Sequence, residues 1–176
     1  MMHAAAQFQE LTSMWSESTS IRSLSPEFQL ALLCCVRDDS PGHMSNLQGL
    51  LAQIDVPAFL ELVVHRHRIG PLAHGVLKRL ADGPLPEELL LTLAQETRSN
   101  AIKVLQAQRA HRLLATWFAE AGLDWMPFKG ITLAQSFYEE PTARHVHDLD
   151  VWVPSDALVR ARAMLQSRGC RIVGGD

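Results

Sequence analysis

The sequence has few of the features that mark secreted, membrane or nucleic-acid-binding proteins. It holds three cysteines, two of them adjacent at Cys34 and Cys35, which favours free thiols in a reducing cytoplasm over a disulfide framework. No basic region followed by an apolar one opens the chain, so we expect no signal peptide. The apolar runs are far too short to cross a membrane. We therefore predict a cytoplasmic protein without a membrane partner.

Charge and motif content exclude further classes. A formal net charge of −3 gives no general attraction for nucleic acid. The sequence has no Walker or dinucleotide glycine pattern, no Ser-His-Asp arrangement at an arguable spacing, and no internal repeat. His65 and His67 lie two residues apart, whereas a helical metal site needs a spacing of three or four, so we expect them at a surface or helix end. The hydrophobic fraction of 47% is that of a globular chain with one core or two small ones.

The first two-thirds of the chain carries helical patterns. Ser25 followed by Pro26 is a typical helix start, and Gly122 is placed to end the last helix of this region. Residues 38–45 contain Pro and Gly and are predicted to form a loop. The predicted helices cover residues 8–15, 28–36, 47–54, 58–67, 72–80 and 86–121, the last as one bent helix or two.

The last third alternates strands and helices. Residues 125–128 form a short apolar run, residues 131–138 have helical spacing, an apolar run follows Asp148, and residues 170–173 resemble another strand. These patterns predict an α+β fold, with a helical region over residues 1–122 and a small α/β core with a mixed sheet over residues 123–176.

Lys129 and Gly130 stand between the predicted strand and the predicted helix. A strand, a glycine and a helix in this order present backbone N–H groups and a helix N-terminus to a phosphate. Gly130 lets the backbone approach closely, and Lys129 adds a positive charge. We therefore predict that this turn binds phosphate.

Asp148 and Asp150 flank Leu149 at the start of an apolar run. Residues two apart on a strand point to the same face, so the two carboxylates are expected to project together. Like charges held side by side repel unless a cation neutralises them. Mg²⁺ suits such a pair, because it takes one or two carboxylates and completes its shell with substrate phosphates.

Arg144 lies four residues before Asp148 and has two interpretations of nearly equal weight. Its guanidinium could brace the loop through a salt bridge to the acids, or it could bind phosphate, for which its planar fork is well suited. Lys129 has the same two interpretations, and its match to the family pattern described next favours the phosphate role.

Together these residues resemble the nucleotidyltransferase superfamily, which shares a fold with polymerase beta, and within it a branch of bacterial uncharacterised nucleotidyltransferases. The resemblance extends from about Pro26 to Gly169. Its most specific part is the Lys-Gly turn followed by Arg-x3-Asp-x-Asp, and a looser part is Arg98-x-Asn100. It is also carried by Leu133, Ala134, Tyr138 and Pro141.

The resemblance implies a nucleotidyltransferase-like core and transfer of a nucleotidyl group from an NTP, such as ATP, to an unknown acceptor. Asp148 and Asp150 would be the catalytic residues and would hold Mg²⁺ or Mn²⁺. Lys129, Gly130 and Arg144 would bind the nucleotide.

The sequence departs from the family pattern at two places. The wider superfamily usually has Gly-Ser or Gly-Gly at the turn, whereas Ile131 follows Gly130 here, which leaves Thr132 as a poor source of a hydroxyl contact. Such enzymes also use a third carboxylate on a later strand. The sequence ends at Asp176, a weak candidate for that role, so we expect the C-terminal part of the core to be incomplete.

Three other functions remain open at this stage. The chain could be a non-catalytic module that binds nucleotide or metal, a fragment of a longer enzyme, or a glycosyltransferase with an Asp-x-Asp motif. The last needs a larger nucleotide-sugar domain than the α/β segment supplies. An unpaired sheet edge further predicts self-association, as a homodimer.

Overall fold

A computed structural model describes residue 21 and residues 23–36, 38–80 and 85–173. The chain divides into two compact units, Met1–Glu96 and Thr97–Asp176. The described part is mostly helical and contains one two-stranded sheet. The helix predicted over residues 8–15 and the candidate acid Asp176 lie outside the described residues.

The first unit is built from short helices. Helix α1 spans Pro26–Cys35, α2 spans Pro41–Leu51, α3 spans Val56–Leu60 and α4 spans Gly70–Leu77. A π-helical segment, Glu61–Arg66, follows α3, and a 3₁₀ turn, Lys78–Leu80, follows α4. Each of the four helices has a proline in its first turn, where the missing N–H costs no hydrogen bond.

Helix starts explain where the sequence prediction succeeded and failed in this unit. The hydroxyl of Ser25 accepts a hydrogen bond from the Phe28 N–H, as the predicted helix start requires. The loop predicted over residues 38–45 is wrong, because α2 begins at Pro41. The Ser40 hydroxyl caps α2 by accepting from the His43 N–H at 3.2 Å. A proline that seemed to break a helix therefore begins one.

The core of the first unit consists of aliphatic side chains around one aromatic ring. Phe59 is fully buried, and most of its neighbours in the core are leucines. The larger fully buried aliphatic members, which come from five helical segments, are Leu30, Leu47, Val63, Leu77, Leu89 and Leu93. His65 and His67 are exposed, in agreement with the predicted surface position. The first unit thus forms a helical core of its own.

Helix α5 runs without interruption from Glu87 to Glu120 and settles the choice between one helix and two. Gly122 follows it with φ +59°, a conformation that favours glycine at a helix end. The boundary between the two compact units, Glu96 to Thr97, falls inside α5. The domain boundary predicted from the sequence lies later, at Gly122, and stays a prediction. The second unit includes the later part of α5 because Val104 packs with Ile131 and Val146.

The second unit adds the strands. Strand β1 spans Met126–Phe128, α6 spans Gly130–Phe137, β2 spans Asp150–Trp152 and α7 spans Leu158–Ser167. Short 3₁₀ turns at Pro141–Ala143 and Ser155–Ala157 precede β2 and α7. Phe118 is fully buried and stacks on Trp125, with ring centroids 5.2 Å apart. This aromatic pair packs the end of α5 against the segment that leads into β1.

Two predictions about the sheet are wrong for the described residues. The sheet is antiparallel rather than mixed, with Met126 opposite Trp152 and Phe128 opposite Asp150. Residues 170–173 form no strand and are exposed. A strand persists only when its backbone groups pair with a neighbouring strand. Among the described residues, no strand pairs with residues 170–173. The α+β class itself agrees with helices accompanied by a small sheet.

The three cysteines are free thiols, with Cys34 buried and Cys35 and Cys170 exposed. Burial raises the pKa of the Cys34 thiol far above its ordinary value, and partial desolvation by the surrounding protein raises the pKa of the Cys35 thiol. Both therefore stay protonated, and weakly reactive, at neutral pH. No helix in the described part of the chain is long and apolar enough to span a bilayer.

Candidate active site

The Lys-Gly turn joins the end of β1 to the start of α6. Lys129 has φ +59° and ψ −148°, a backbone region that is almost confined to glycine. Gly130 follows with φ +30° and is the first residue of α6. The Lys129 side chain makes no capping hydrogen bond to the helix. The first N–H groups of α6 therefore depend on water or a ligand unless another group caps them.

Gly130 lies directly against the backbone of the acidic segment. A Cβ atom at this position would come within 3.2 Å of the Asp148 carbonyl oxygen. That approach is tighter than a normal contact, and the positive φ adds strain for any residue with a side chain. The turn and the segment before β2 are thus in contact because residue 130 is glycine.

The acid pair lies at the start of β2. Asp150 is the first residue of the strand and pairs in register with Phe128, the last residue of β1. Asp148 precedes the strand rather than belonging to it, so the predicted strand carries only one of the two acids. Asp148 is exposed and Asp150 is partly exposed, which leaves both carboxylates accessible to solvent. Their projection from one face stays a prediction.

Lys129 places a positive charge next to the acid pair. Its Nζ lies 3.9 Å from Oδ2 of Asp150 and 4.9 Å from the centroid of the Phe128 ring. The Lys129 side chain is 63% exposed, so solvent screening leaves this ion pair weak. The ammonium is therefore held near the carboxylate while remaining free to meet another anion.

Arg144 does not form the salt bridge that would brace its loop against the acids. Within the described residues no ion pair joins it to Asp148 or Asp150. Its guanidinium carbon lies 5.9 Å from the centroid of the Tyr138 ring, and its Nε is buried without a hydrogen-bond partner. A buried donor left unpaired costs free energy, so a ligand oxygen at this atom would be stabilising.

Asn100, on α5, is a residue to which the sequence analysis assigned no role. It is fully buried, and its side chain makes hydrogen bonds to backbone groups of residues 142, 144 and 146. A sequence signal was present: Asn100 is a polar residue within a long helix and belongs to the Arg98-x-Asn100 part of the resemblance. Its partners, more than 40 residues away, could not be deduced from spacing.

The two carboxylates fit a metal ion that takes part of its coordination shell from a substrate. Within the described residues no group of three or more His, Cys, Asp or Glu side chains could hold a metal alone. Two accessible carboxylates are nevertheless the usual protein contribution to a Mg²⁺ site, which keeps waters or takes phosphate oxygens for the rest. The contact between the glycine turn and the acidic segment puts the N-terminus of α6, where an anion would be favoured, beside the backbone of Asp148.

The arrangement of a strand, a glycine turn and a helix N-terminus is typical of proteins that bind nucleoside phosphates. A lysine in the turn and an acid pair next to it suit the phosphates and their Mg²⁺. The sequence model of the family described as "uncharacterised nucleotidyltransferase" matches residues 52–176. The chain belongs to this family, as the resemblance predicted. Membership indicates nucleotidyl transfer in general. No curated protein and no solved structure matches the chain.

Proposed function

We propose that this chain transfers a nucleotidyl group from an NTP to an acceptor, with Mg²⁺ or Mn²⁺ bound at Asp148 and Asp150. One observation carries the proposal beyond family membership. The turn at Gly130 is in contact with the backbone of Asp148, and Nζ of Lys129 lies 3.9 Å from Asp150. The proximity of the glycine turn to the Asp148 backbone and of the Lys129 ammonium to the Asp150 carboxylate supports a shared site in the second unit.

The turn would bind the β and γ phosphates of the NTP. The N–H groups at the start of α6 point along the helix axis and carry partial positive charge, which favours an anion there. Gly130 has no side chain to hold the phosphates away. The Lys129 ammonium, held by only a weak ion pair, can turn from Asp150 to a phosphate oxygen.

In the proposed reaction the acceptor oxygen attacks the α-phosphorus of the NTP and loses its proton to solvent water. The bond from the α-phosphorus to the bridging oxygen breaks, and pyrophosphate leaves with the electron pair. Lys129 and Arg144 would stabilise the negative charge that grows on the leaving group. Asp148 and Asp150 would hold the divalent cation, which when bound neutralises phosphate charge and orients the reacting oxygens.

The direct test is incubation of the chain with Mg²⁺ and each α-³²P-labelled NTP, with and without a bacterial extract as the source of acceptor. Transfer of label to the chain or to an extract component, abolished by EDTA, is the expected result. Binding of Mg²⁺–NTP without transfer would favour the non-catalytic module instead. Absence of both would overturn the proposal. The acceptor itself is to be found from the labelled product.

A mutation separates the two interpretations of Arg144. Arg144→Ala is expected to weaken triphosphate binding about tenfold and to leave nucleoside binding nearly unchanged, because charge-assisted hydrogen bonds to phosphate are lost. The measurement is a titration with the NTP and its nucleoside, paired with a thermal melt. A matched control is Arg162→Ala, which removes an exposed arginine of α7. A lower Tm with intact triphosphate affinity would show that Arg144 only supports its loop.

The homodimer and the cytoplasmic location predicted from the sequence stay predictions. Sedimentation of the purified chain over a range of concentrations tests the first. A single monomeric species at all concentrations would show that the dimer is wrong.

A further inference from the structure

Asn100 has an unusual position for a polar residue. Its side chain is fully buried, although a side-chain amide has two donor hydrogens and an acceptor oxygen that must be satisfied inside the protein. Nδ2 donates to the carbonyl oxygen of Thr142 at 2.7 Å and to that of Arg144 at 2.9 Å. Oδ1 accepts from the Val146 N–H at 3.4 Å. All three partners are backbone groups of one loop.

These bonds fix the loop that connects the 3₁₀ turn Pro141–Ala143 to the acid pair. They contact alternate residues, so neither the backbone before Arg144 nor the backbone after it can rotate without breaking one. Val146 is also anchored by its side chain, which is buried with Val104 and Ile131. Hydrogen bonds from α5 therefore fix the segment between Thr142 and Val146, although among the described residues no strand pairs with it.

We propose that Asn100 is a positioning residue for the nucleotide site: it fixes the backbone of Arg144, and it thereby orients the guanidinium toward the triphosphate. This inference rests on the proposed function. The fixed backbone removes part of the conformational entropy that Arg144 would otherwise lose when it binds. The three backbone groups are two acceptors and one donor. A side chain that satisfies all of them must donate two hydrogen bonds and accept one, as an amide does.

The test compares Asn100→Ala with the unmodified full chain, using as probes the NTP that the unmodified chain binds best and its nucleoside, both with Mg²⁺. We expect Asn100→Ala to weaken NTP binding about tenfold, the lower end for residues that orient a binding group. Nucleoside binding should change less than about twofold, since the nucleoside lacks the triphosphate that Arg144 binds. A purely structural residue would not produce this difference between the two probes.

A double-mutant cycle shows whether Asn100 acts through Arg144. In an Arg144→Ala background, Asn100→Ala should have almost no further effect on NTP affinity, because the group that it positions is gone. Val76→Ala, in the core of the first unit, is the matched control for loss of stability. It should lower the Tm and leave the ratio of NTP to nucleoside affinity unchanged.

A second variant covers the case in which Asn100→Ala does not fold. Asn100→Ser keeps a small polar group but cannot reach both carbonyl oxygens, and it should show the same loss of NTP affinity. Hydrogen exchange at the Val146 amide should be faster in either variant. If NTP affinity is unchanged, or falls equally with and without Arg144, the positioning role is wrong while the proposed function stands. If the unmodified chain binds no NTP, the proposed function itself is wrong and the positioning role falls with it.

Discussion

Asp148→Asn and Asp150→Asn are each expected to weaken Mg²⁺-dependent NTP binding by at least about a hundredfold, since changing even the partners of metal ligands costs about 10–100-fold. An amide keeps the size of the carboxyl group but removes the charge that attracts the cation. Mg²⁺ and Mn²⁺ bind oxygen ligands of this kind largely through that charge. Label transfer should fall with binding, and removal of the metal by EDTA should reproduce the effect in the unmodified chain.

The fold should survive both substitutions. Asp148 is exposed and Asp150 is partly exposed, and surface changes of this kind usually alter stability by no more than about 0.5 kcal/mol. Asp150→Asn also removes the ion pair with Lys129, but that pair is weak because the lysine is mostly solvated. A thermal melt should therefore give nearly the same Tm for the two variants and the unmodified chain.

Asp124→Asn is the matched control for the charge change. Asp124 is an exposed acid of the second unit that lies before β1 and outside the acid pair. Calorimetric titration with Mg²⁺–NTP should distinguish it clearly from the two site variants. Unchanged affinity in both Asp148→Asn and Asp150→Asn would show that the metal assignment is wrong, whatever the activity of the chain.

Local chemistry made part of the fold predictable from the sequence, although the start of α2 at Pro41 was missed. Ser25, followed by a proline, gave a correct helix start because capping depends on residues three positions apart. The strand at residues 170–173 was wrong because an apolar run becomes a strand only beside a pairing partner. The π-helical segment Glu61–Arg66 was also missed, since its hydrophobic pattern does not differ visibly from that of an α-helix.

In the candidate site too, features set by short local motifs were predicted, and features that depend on residues distant in sequence were not. The glycine turn and the acid pair were singled out from short motifs, and the structure brings Gly130 into contact with the backbone of Asp148. The hydrogen bonds of Asn100 could not be predicted, because they join residues 42 to 46 positions apart. The backbone of Lys129 was not anticipated either. A lysine in a backbone conformation that favours glycine costs free energy, and no sequence pattern indicates that conformation.

That cost leads to the second large prediction: Lys129→Gly should make the chain more stable and the site worse. A side chain at φ +59° and ψ −148° costs about 1–3 kcal/mol, and glycine removes this cost. Glycine loses about 0.5–1 kcal/mol more through backbone entropy on folding. The net gain is about 1 kcal/mol, or about 2–4 °C in Tm for a chain of this size. NTP affinity should fall about tenfold or more, since the ammonium is gone.

Lys129→Ala separates the backbone from the charge. Alanine removes the same ammonium but keeps a Cβ atom, so it should lower NTP affinity as much as glycine does without any gain in Tm. The stability difference between the two variants then measures the strain, and their common loss of affinity measures the charge. If Lys129→Gly binds NTP as well as the unmodified chain, the lysine has no phosphate role. If instead it binds poorly and is more stable, the strained backbone is the cost of placing the Lys129 ammonium where the proposed triphosphate site lies.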